Sequence, residues 1–251
     1  MTYCVGILVR DGLVMIADTR TNAGVDNIAT FRKLHLFENP GERAIGLATA
    51  GNLAVGQSVL SLVTEGCKDP ETGASESLST VPTMFRAAQL VGRAIREVRR
   101  IDGESLEAQS TGFDVSMLVG GQINGDRMRL FMLYAAGNFI EATADTPFLQ
   151  IGEHKYGKPI LDRAITEKAD LNDALKLGLI SMDSTMRSNL SVGMPIDLLL
   201  VRRDALRTEF TYRIDAAEPY FHDLRERWSA ALRAAHLAIP PPPYAAKQEK
   251  P

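Results

Sequence analysis

The chain has little cysteine and histidine, which argues against several classes of protein. Its 251 residues include two cysteines, Cys4 and Cys67, too few for a disulfide scaffold and without metal-ligand spacing. The four histidines are also scattered without such spacing, at His35, His154, His222 and His236. The sequence therefore predicts neither a disulfide framework nor a metal centre.

The chain also lacks a strong net charge, a long apolar run and a secretory leader. A net charge of -3 gives no electrostatic reason to expect nucleic acid as a partner. No stretch approaches the roughly eighteen apolar residues of a membrane span, and no basic start followed by an apolar run indicates a signal peptide. We therefore expect a soluble, cytoplasmic protein. With 45% hydrophobic residues it can bury a large core.

The first two residues, Met1 and Thr2, carry a functional signal. Initiator methionine is removed efficiently before a small residue, which would leave a hydroxyl and a free α-amine together on Thr2. An α-amine titrates near pH 8, about 2.5 units below lysine, so it can act as a neutral base. Such an amine is one way of activating a threonine nucleophile. The same start occurs in many ordinary proteins, so its weight depends on the residues that follow.

Alternating and periodic segments predict a strand-rich chain interrupted by pairs of helices. The first half is predicted to contain strands at 3–10, 13–17, 33–37 and 44–50, loops at 19–30 and 67–80, and helices at 52–65 and from Pro82 to Val98. The second half is predicted to contain strands at 114–120, 127–134, 139–143, 148–152, 195–202 and 206–214, and helices at 158–167 and 170–186, the latter capped by Asp170.

This order of elements predicts the fold class. Sheets formed from hairpins stack face to face, and each helix pair needs an apolar surface to cover. We therefore expect an α+β fold, a four-layer αββα sandwich of two packed antiparallel sheets, in one domain of residues 1–215. Residues 216–251 are expected to form a C-terminal helix and a Pro-rich tail, disordered at 245–251.

The first hairpin has a pairing that can be worked out from its turn signal. With Asp11-Gly12 as a two-residue loop, Arg10 pairs with Leu13 and Asp18 lies opposite Val5. Three residues along a strand are about 10 Å, so Asp18 is expected to reach Thr2 only through a long cationic side chain.

Polar residues at the strand boundaries resemble a known family. Thr2 begins the first strand, Asp18 ends the second, Lys33 begins the third and Gly51 ends a strand of small residues. With the segment 5–7, these positions resemble the proteasome β-subunit family of N-terminal-nucleophile hydrolases over about residues 2–214. The start of the chain and the extra C-terminal helix are most similar to the bacterial ancestral β-subunit branch.

The resemblance implies a role for each of these residues. Thr2 would supply the nucleophilic Oγ, with its α-amine as general base. Lys33 would stabilise developing negative charge, Asp18 would hold Lys33, and the backbone N–H of Gly51 would bind the oxyanion. By the same alignment, the substrate cleft would be lined by Thr21, Asn22 and Thr49.

The sequence departs from the family in two places. Where the family has a Gly-Ser-Gly element beside the nucleophile, this chain has Gly152-Glu153-His154. One extra residue ahead of the penultimate strand makes the alignment there ambiguous. The supporting role stays open among Ser188 and Ser191, which we favour, and Asp183 and Glu153.

The resemblance implies a threonine peptidase that hydrolyses peptide bonds through an acyl-enzyme and needs no metal or organic cofactor. It also implies peptide or unfolded-protein substrates and a homo-oligomeric ring or spiral, and leaves open an ATPase partner. Two alternatives are a non-catalytic assembly subunit and an amidase of the same fold acting on a small molecule. Retention of Met1 would favour the assembly subunit.

Overall fold

The computed structural model describes residues 1–22, 28–69 and 73–244, with the backbone alone at Asn22. The chain divides into two compact units, Met1–Ala216 and Ala217–Pro251. The predicted disordered tail, 245–251, lies outside the described residues, as do parts of the two predicted loops. No helix in the described part of the chain is long and apolar enough to cross a membrane.

The first part of the chain forms strands and helices close to the predicted positions. The two predicted loops each contain a short hairpin, β3–β4 and β7–β8, that the sequence pattern missed. The elements are β1 (Tyr3–Val9), β2 (Gly12–Asp18), β3 (Arg20–Asn22), β4 (Ile28–Thr30), β5 (Leu34–Asn39), β6 (Arg43–Gly51), α1 (Leu53–Glu65), β7 (Cys67–Lys68), β8 (Ser75–Glu76) and α2 (Met84–Ala108).

The second part also follows the prediction, including the cap at Asp170, whose side chain accepts hydrogen bonds from the N–H groups of Asn172 and Asp173 at 2.9 Å. The elements are β9 (Val115–Ile123), β10 (Arg129–Leu133), β11 (Phe139–Glu141), β12 (Phe148–Gly152), α3 (Lys158–Ala164), α4 (Leu171–Ser188), β13 (Ile196–Arg202), β14 (Thr208–Ile214) and, in the second unit, α5 (Pro219–Ala238).

The first unit is built on two five-stranded antiparallel sheets, with strand orders β12-β1-β2-β13-β14 and β11-β10-β9-β6-β5. Apolar side chains from both sheets fill the space between them, among them Met15 and Leu199 of one and Leu118 and Leu130 of the other. Burying these faces against each other supplies most of the driving force for this packing. The predicted pair of packed antiparallel sheets is confirmed.

Helices cover the outer face of each sheet. On one side α1 and α2 contact β6, β9 and β10, and the apolar stripe of α2 is fully buried at residues such as Met84, Val91 and Ile95. On the other side α4 contacts β1 and β2, with α3 packed against α4. Gly178 of α4 allows close approach, since a Cβ there would lie 2.6 Å from Ile16 Cδ1. The predicted four-layer αββα sandwich is therefore confirmed.

The predicted register of the first hairpin is wrong by two residues. Val9 pairs with Gly12 and Val5 with Ile16, so the turn is Arg10-Asp11. Gly12 lies within β2, where β13 passes close to it: a Cβ there would lie 2.3 Å from Val201 O. The true register brings Asp18 level with Tyr3 at the start of β1. Asp18 therefore needs no bridging side chain to contact the start of that strand.

Candidate active site

A buried ion pair joins the ends of two strands. Asp18 ends β2, and Lys33 immediately precedes β5. Lys33 Nζ donates to Asp18 Oδ1 at 3.0 Å and to Arg20 O at 2.5 Å. The side chains of Lys33 and Asp18 are only 4% and 0% exposed. Removing either partner would leave the other charge buried, which is strongly unfavourable, so the two residues hold each other in place.

Asp18 also fixes the chain beside Thr2. Its Oδ1 accepts a hydrogen bond from Tyr3 N at 3.0 Å, and its Oδ2 accepts one from Gly193 N at 3.3 Å. Burial raises the pKa of the Asp18 carboxyl, while Lys33 and the two backbone donors partly offset that effect. Asp18 thus links the residue after Thr2 directly to the Lys33 ammonium.

Thr2 lies at the entrance to the strand and is held from the other side by β12. Its carbonyl oxygen accepts a hydrogen bond from Glu153 N at 2.7 Å. Gly152 has φ 79°, and a Cβ there would lie 1.9 Å from Thr2 O, so only glycine fits. Thr2 is 8% exposed, whereas Met1 before it is 65% exposed.

Thr2 and Gly51 line the same cavity, which has a volume of about 820 Å³. Its other walls include β12 and, facing it, Asp114, Met132 and Tyr134. This volume falls in the range of about 300 to 1,000 Å³ that is usual for ligand sites. The cavity thus has the predicted nucleophile and Gly51 among its lining residues, whereas Asp18 and Lys33 are buried and do not line it.

Gly51 combines an unusual backbone conformation with a favourable direction of its N–H group. Its φ is 106°, and a Cβ would lie 2.4 Å from Asp114 O. Thr49 N donates to Lys33 O on the β5 side. Because successive N–H groups along a strand alternate in direction, the N–H of Gly51 also points to that side, beyond the last β5 pairing at Leu34.

The structure places the residues predicted for the substrate cleft in different surroundings. Thr21 lies in β3, and its Oγ1 is buried without a hydrogen-bond partner among the described residues. Asn22 ends β3, but its side chain lies outside the described part of the chain. The Thr49 hydroxyl faces α1, where a Cβ on Gly56 would approach it to 2.6 Å. Their contact with substrate stays a prediction.

The candidates for the supporting role are also separated. Ser188 is exposed at the end of α4, and Asp183 is buried within that helix, where Arg187 Nε donates to its Oδ2 at 3.1 Å. Ser191 is half-buried, two residues before the Gly193 N–H that contacts Asp18. Glu153 lines the cavity with Thr2. Their supporting roles stay predictions.

Two side chains at the site, Tyr3 and Arg20, make contacts that were not anticipated from the sequence. The buried Tyr3 hydroxyl shares a hydrogen bond of 2.6 Å with Ser181 Oγ and accepts another from Gln150 Nε2 at 2.5 Å, and burial raises its pKa. The Arg20 guanidinium donates to Leu190 O at 2.8 Å and packs against Gly193. These contacts join residues far apart in sequence. The sequence therefore offered only one hint of them, a tyrosine directly after the candidate nucleophile.

Comparison with known proteins gives matches over nearly the whole chain. The family model described as "Proteasome subunit" matches residues 2–201. No curated protein sequence matches the chain significantly. A solved structure of the (Gly-1) mutant of Anbu from Hyphomicrobium sp. strain MC1 is 52% identical, with a TM-score of 0.87, covering 96% of this chain and 99% of that one.

Two other solved structures are similar to the same degree. Anbu (ancestral beta-subunit) from Yersinia bercovieri is 48% identical, with a TM-score of 0.87, over 96% of this chain and 98% of that one. The helical assembly of the Anbu complex from Pseudomonas aeruginosa is 50% identical, with a TM-score of 0.88, covering 97% of this chain and 99% of that one.

Proposed function

The chain belongs to the proteasome subunit family, and from that premise we propose that it is a threonine peptidase of the N-terminal-nucleophile type. The observation that carries the proposal is the arrangement around the cavity. Thr2 and Gly51 line one space, and the residue after Thr2 is bonded to the buried Asp18, which is paired with Lys33. A buried ion pair is costly to desolvate, so its place next to Thr2 supports a functional role.

The proposed reaction starts with removal of Met1, which is largely exposed and precedes a small residue. Thr2 Oγ then attacks the carbonyl carbon of a peptide bond while the Thr2 α-amine takes the hydroxyl proton. The C–N bond breaks, the proton passes to the leaving amine, and an ester remains on Thr2. Water hydrolyses that ester and restores the hydroxyl, and the proposed reaction uses no metal or organic cofactor.

Lys33 and Gly51 supply the electrostatic part of this mechanism. The Lys33 ammonium, fixed by Asp18, stabilises negative charge that develops on the Thr2 oxygen. The N–H of Gly51 points beyond the end of β5 and donates to the oxyanion of the tetrahedral intermediate. Losing one such donor commonly lowers kcat about 10² to 10³-fold.

Assembly is the second part of the proposal. The similar Pseudomonas aeruginosa protein is described as a helical assembly, and we infer that this chain also forms a homo-oligomer, as a ring or spiral. We place it in the cytoplasm, where peptides or unfolded chains would reach the sites, with or without an ATPase partner.

Hydrolysis of unstructured peptides by the purified full chain tests the proposed function. The wild-type protein should release peptide fragments, and Thr2→Ala should lower the rate by at least about 10³-fold, because both nucleophile and hydroxyl proton are lost. Equal rates in the two proteins would show that any hydrolysis comes from elsewhere.

A small-molecule amidase is the second candidate function, favoured by the size of the cavity. At about 820 Å³ the cavity suits a single compact ligand as well as a peptide segment. Hydrolysis of small amides by the wild-type protein and not by Thr2→Ala, with peptides left intact, would favour this candidate. No hydrolysis of either substrate by a chain that retains Met1 would instead favour a non-catalytic assembly subunit.

A further inference from the structure

Glu153 lies directly across the sheet from Thr2. Tyr3 pairs with Gly152 in the β1–β12 ladder, and the next step brings Glu153 N to 2.7 Å from Thr2 O. Glu153 and Thr2 also line the same cavity. A glutamate side chain at this position is long enough to extend toward the backbone nitrogen of Thr2.

One oxygen of the half-buried Glu153 carboxylate is buried and lacks a hydrogen-bond donor among the described residues. The side chain is 13% exposed, and its Oε2 is buried without a hydrogen-bond donor in the described part of the chain. Lys155 Nζ lies 3.4 Å from Oε2, but the Lys155 side chain is 64% exposed and its charge is screened by water. A buried carboxylate oxygen without a donor is costly, which points to a partner that arrives later.

We propose that Glu153 is a positioning residue that binds the α-ammonium group exposed on Thr2 when Met1 is removed. The inference rests on the proposed processing of the chain. Removing Met1 converts a peptide nitrogen into an ammonium with three N–H donors, next to the carboxylate that lacks one. The pairing fixes the orientation of the amine relative to the Thr2 hydroxyl.

The pairing also sets the pH at which the amine becomes a base. An opposite charge within about 4 to 6 Å favours the protonated amine, so a higher pH is needed to release its proton. The other titratable groups that line the cavity are Asp114, Tyr134, Asp145 and His154, together with Lys158 and Asp162, which pair at 2.5 Å. The Asp18–Lys33 pair lies beside the N–H of the next residue, Tyr3. Of these acidic groups, Glu153 has the direct backbone contact with Thr2.

Direct titration of the Thr2 amine tests this inference without relying on catalysis. The full chain is produced with Thr2 as its first residue by cleaving an N-terminal fusion, in wild-type, Glu153→Gln and Asp145→Asn forms. Competitive acetylation with trace acetic anhydride across a pH series, followed by mass spectrometry of the N-terminal peptide, reports the fraction of free amine at each pH.

The inference predicts that Glu153→Gln lowers the midpoint of this titration by about one pH unit or more, because the neutral amide removes the paired charge. Asp145→Asn removes one negative charge from the same cavity and should move the midpoint much less. Equal midpoints in wild-type and Glu153→Gln proteins, or equal shifts in the two variants, would overturn direct pairing.

Peptide hydrolysis by the same proteins separates this inference from the proposed function. If the chain with Thr2 first does not hydrolyse amides but Glu153→Gln still lowers the amine midpoint, the pairing stands and the peptidase proposal fails. If hydrolysis occurs and the midpoint does not move, the peptidase proposal stands and the pairing is refuted.

Discussion

Gly152 shows how one position controls where Thr2 lies. At φ 79° a methyl group on this residue would lie 1.9 Å from Thr2 O, so Gly152→Ala must displace the start of β1. A shift of about 1 Å at a reacting group can cost about 10²-fold in rate. We therefore expect Gly152→Ala to lower the rate at which a threonine-directed electrophile modifies Thr2 by about 10²-fold, measured by mass spectrometry.

Gly125→Ala is the matched control for that prediction. Gly125 has nearly the same φ, 80°, but a Cβ there meets nothing within 4 Å. Both variants are strained by about 1 to 2 kcal/mol because alanine must adopt a left-handed conformation. Only Gly152→Ala also collides with Thr2. Equal loss of labelling in the two variants would contradict the proposed role of Gly152.

Asp18 should impose an acid limit on the reaction. Burial raises the pKa of its carboxyl above the ordinary value of about 3.9, and protonation removes the charge that holds Lys33. Below the pH at which the Thr2 amine becomes protonated, the rate of Thr2 labelling should therefore fall a second time as pH decreases through this raised pKa. A second fall that begins only in the ordinary carboxyl range, or none at all, would contradict this prediction.

The same group has the opposite effect on stability. Because the folded-state pKa of Asp18 lies above the unfolded value, the folded chain binds the proton more tightly. Its contribution to the free energy of unfolding is therefore largest below the unfolded pKa and is lost as pH rises through the folded pKa. Comparing the pH dependence of denaturant unfolding for wild-type and Asp18→Asn proteins isolates this contribution.

For single residues, the sequence selects candidates for the site but does not predict their contacts. Thr2, Asp18 and Lys33 could be selected because each stands at a strand boundary. The hydrogen bond between Tyr3 and Ser181 could not, because it joins residues 178 positions apart and depends on how α4 packs on β1. In the sequence, Gly152 is indistinguishable from an ordinary turn glycine. Its importance follows only from the position of Thr2 O in the folded chain.

Among the elements, the β7–β8 hairpin is attached to α2 by an ion-pair network. Arg93 pairs with Asp69 at 2.6 Å and with Glu76, and Arg86 contacts the same two carboxylates. Asp69 is almost fully buried. Arg93→Ala should therefore lower the free energy of unfolding by about 1.5 to 3 kcal/mol, measured by denaturant unfolding, because Asp69 and Glu76 each lose one of their two arginine partners.

Arg100→Ala provides the control on the same helix. Arg100 pairs with Glu97 one turn away, and both side chains are exposed. Exposed pairs contribute about 0 to 1 kcal/mol, so this variant should be nearly as stable as the wild type. Thr2 labelling should be unchanged in both variants, and similar losses of stability in the two would contradict the network's role.

Periodicity predicted the helices and long strands, but not the short hairpins or the register. The β3–β4 and β7–β8 strands have two or three residues each, too few for alternation to be visible. A register wrong by two residues keeps every side chain of β1 and β2 on its correct face, so the hydrophobic pattern could not detect the error. The observed register places Gly12 in β2, where β13 leaves no room for a Cβ.

For the whole molecule, the order of strand blocks and helix pairs was sufficient to predict the four-layer sandwich, and the resemblance to the proteasome family is confirmed. The likeness to the ancestral β-subunit branch is confirmed as well, by identities of 48% to 52% with Anbu structures. The cavity shared by Thr2 and Gly51 was not predictable, since its walls come from β6, β10 and β12.

Assembly should be independent of the nucleophile. Thr2→Ala removes only a hydroxyl and a methyl group from a residue that lines a cavity, so little packing is lost. The native mass of Thr2→Ala should therefore equal that of the wild-type protein. A smaller native mass for the variant would mean that Thr2 has a structural role, and loss of activity could no longer be assigned to chemistry.

The central claim is that Thr2 becomes the N-terminal nucleophile. Intact-mass analysis with N-terminal sequencing, before and after treatment with a threonine-directed electrophile, tests it most directly. We predict a chain that begins at Thr2 and gains one adduct, located on Thr2 and missing from Thr2→Ala. A chain that retains Met1, or a Thr2 that stays unmodified, would contradict the account.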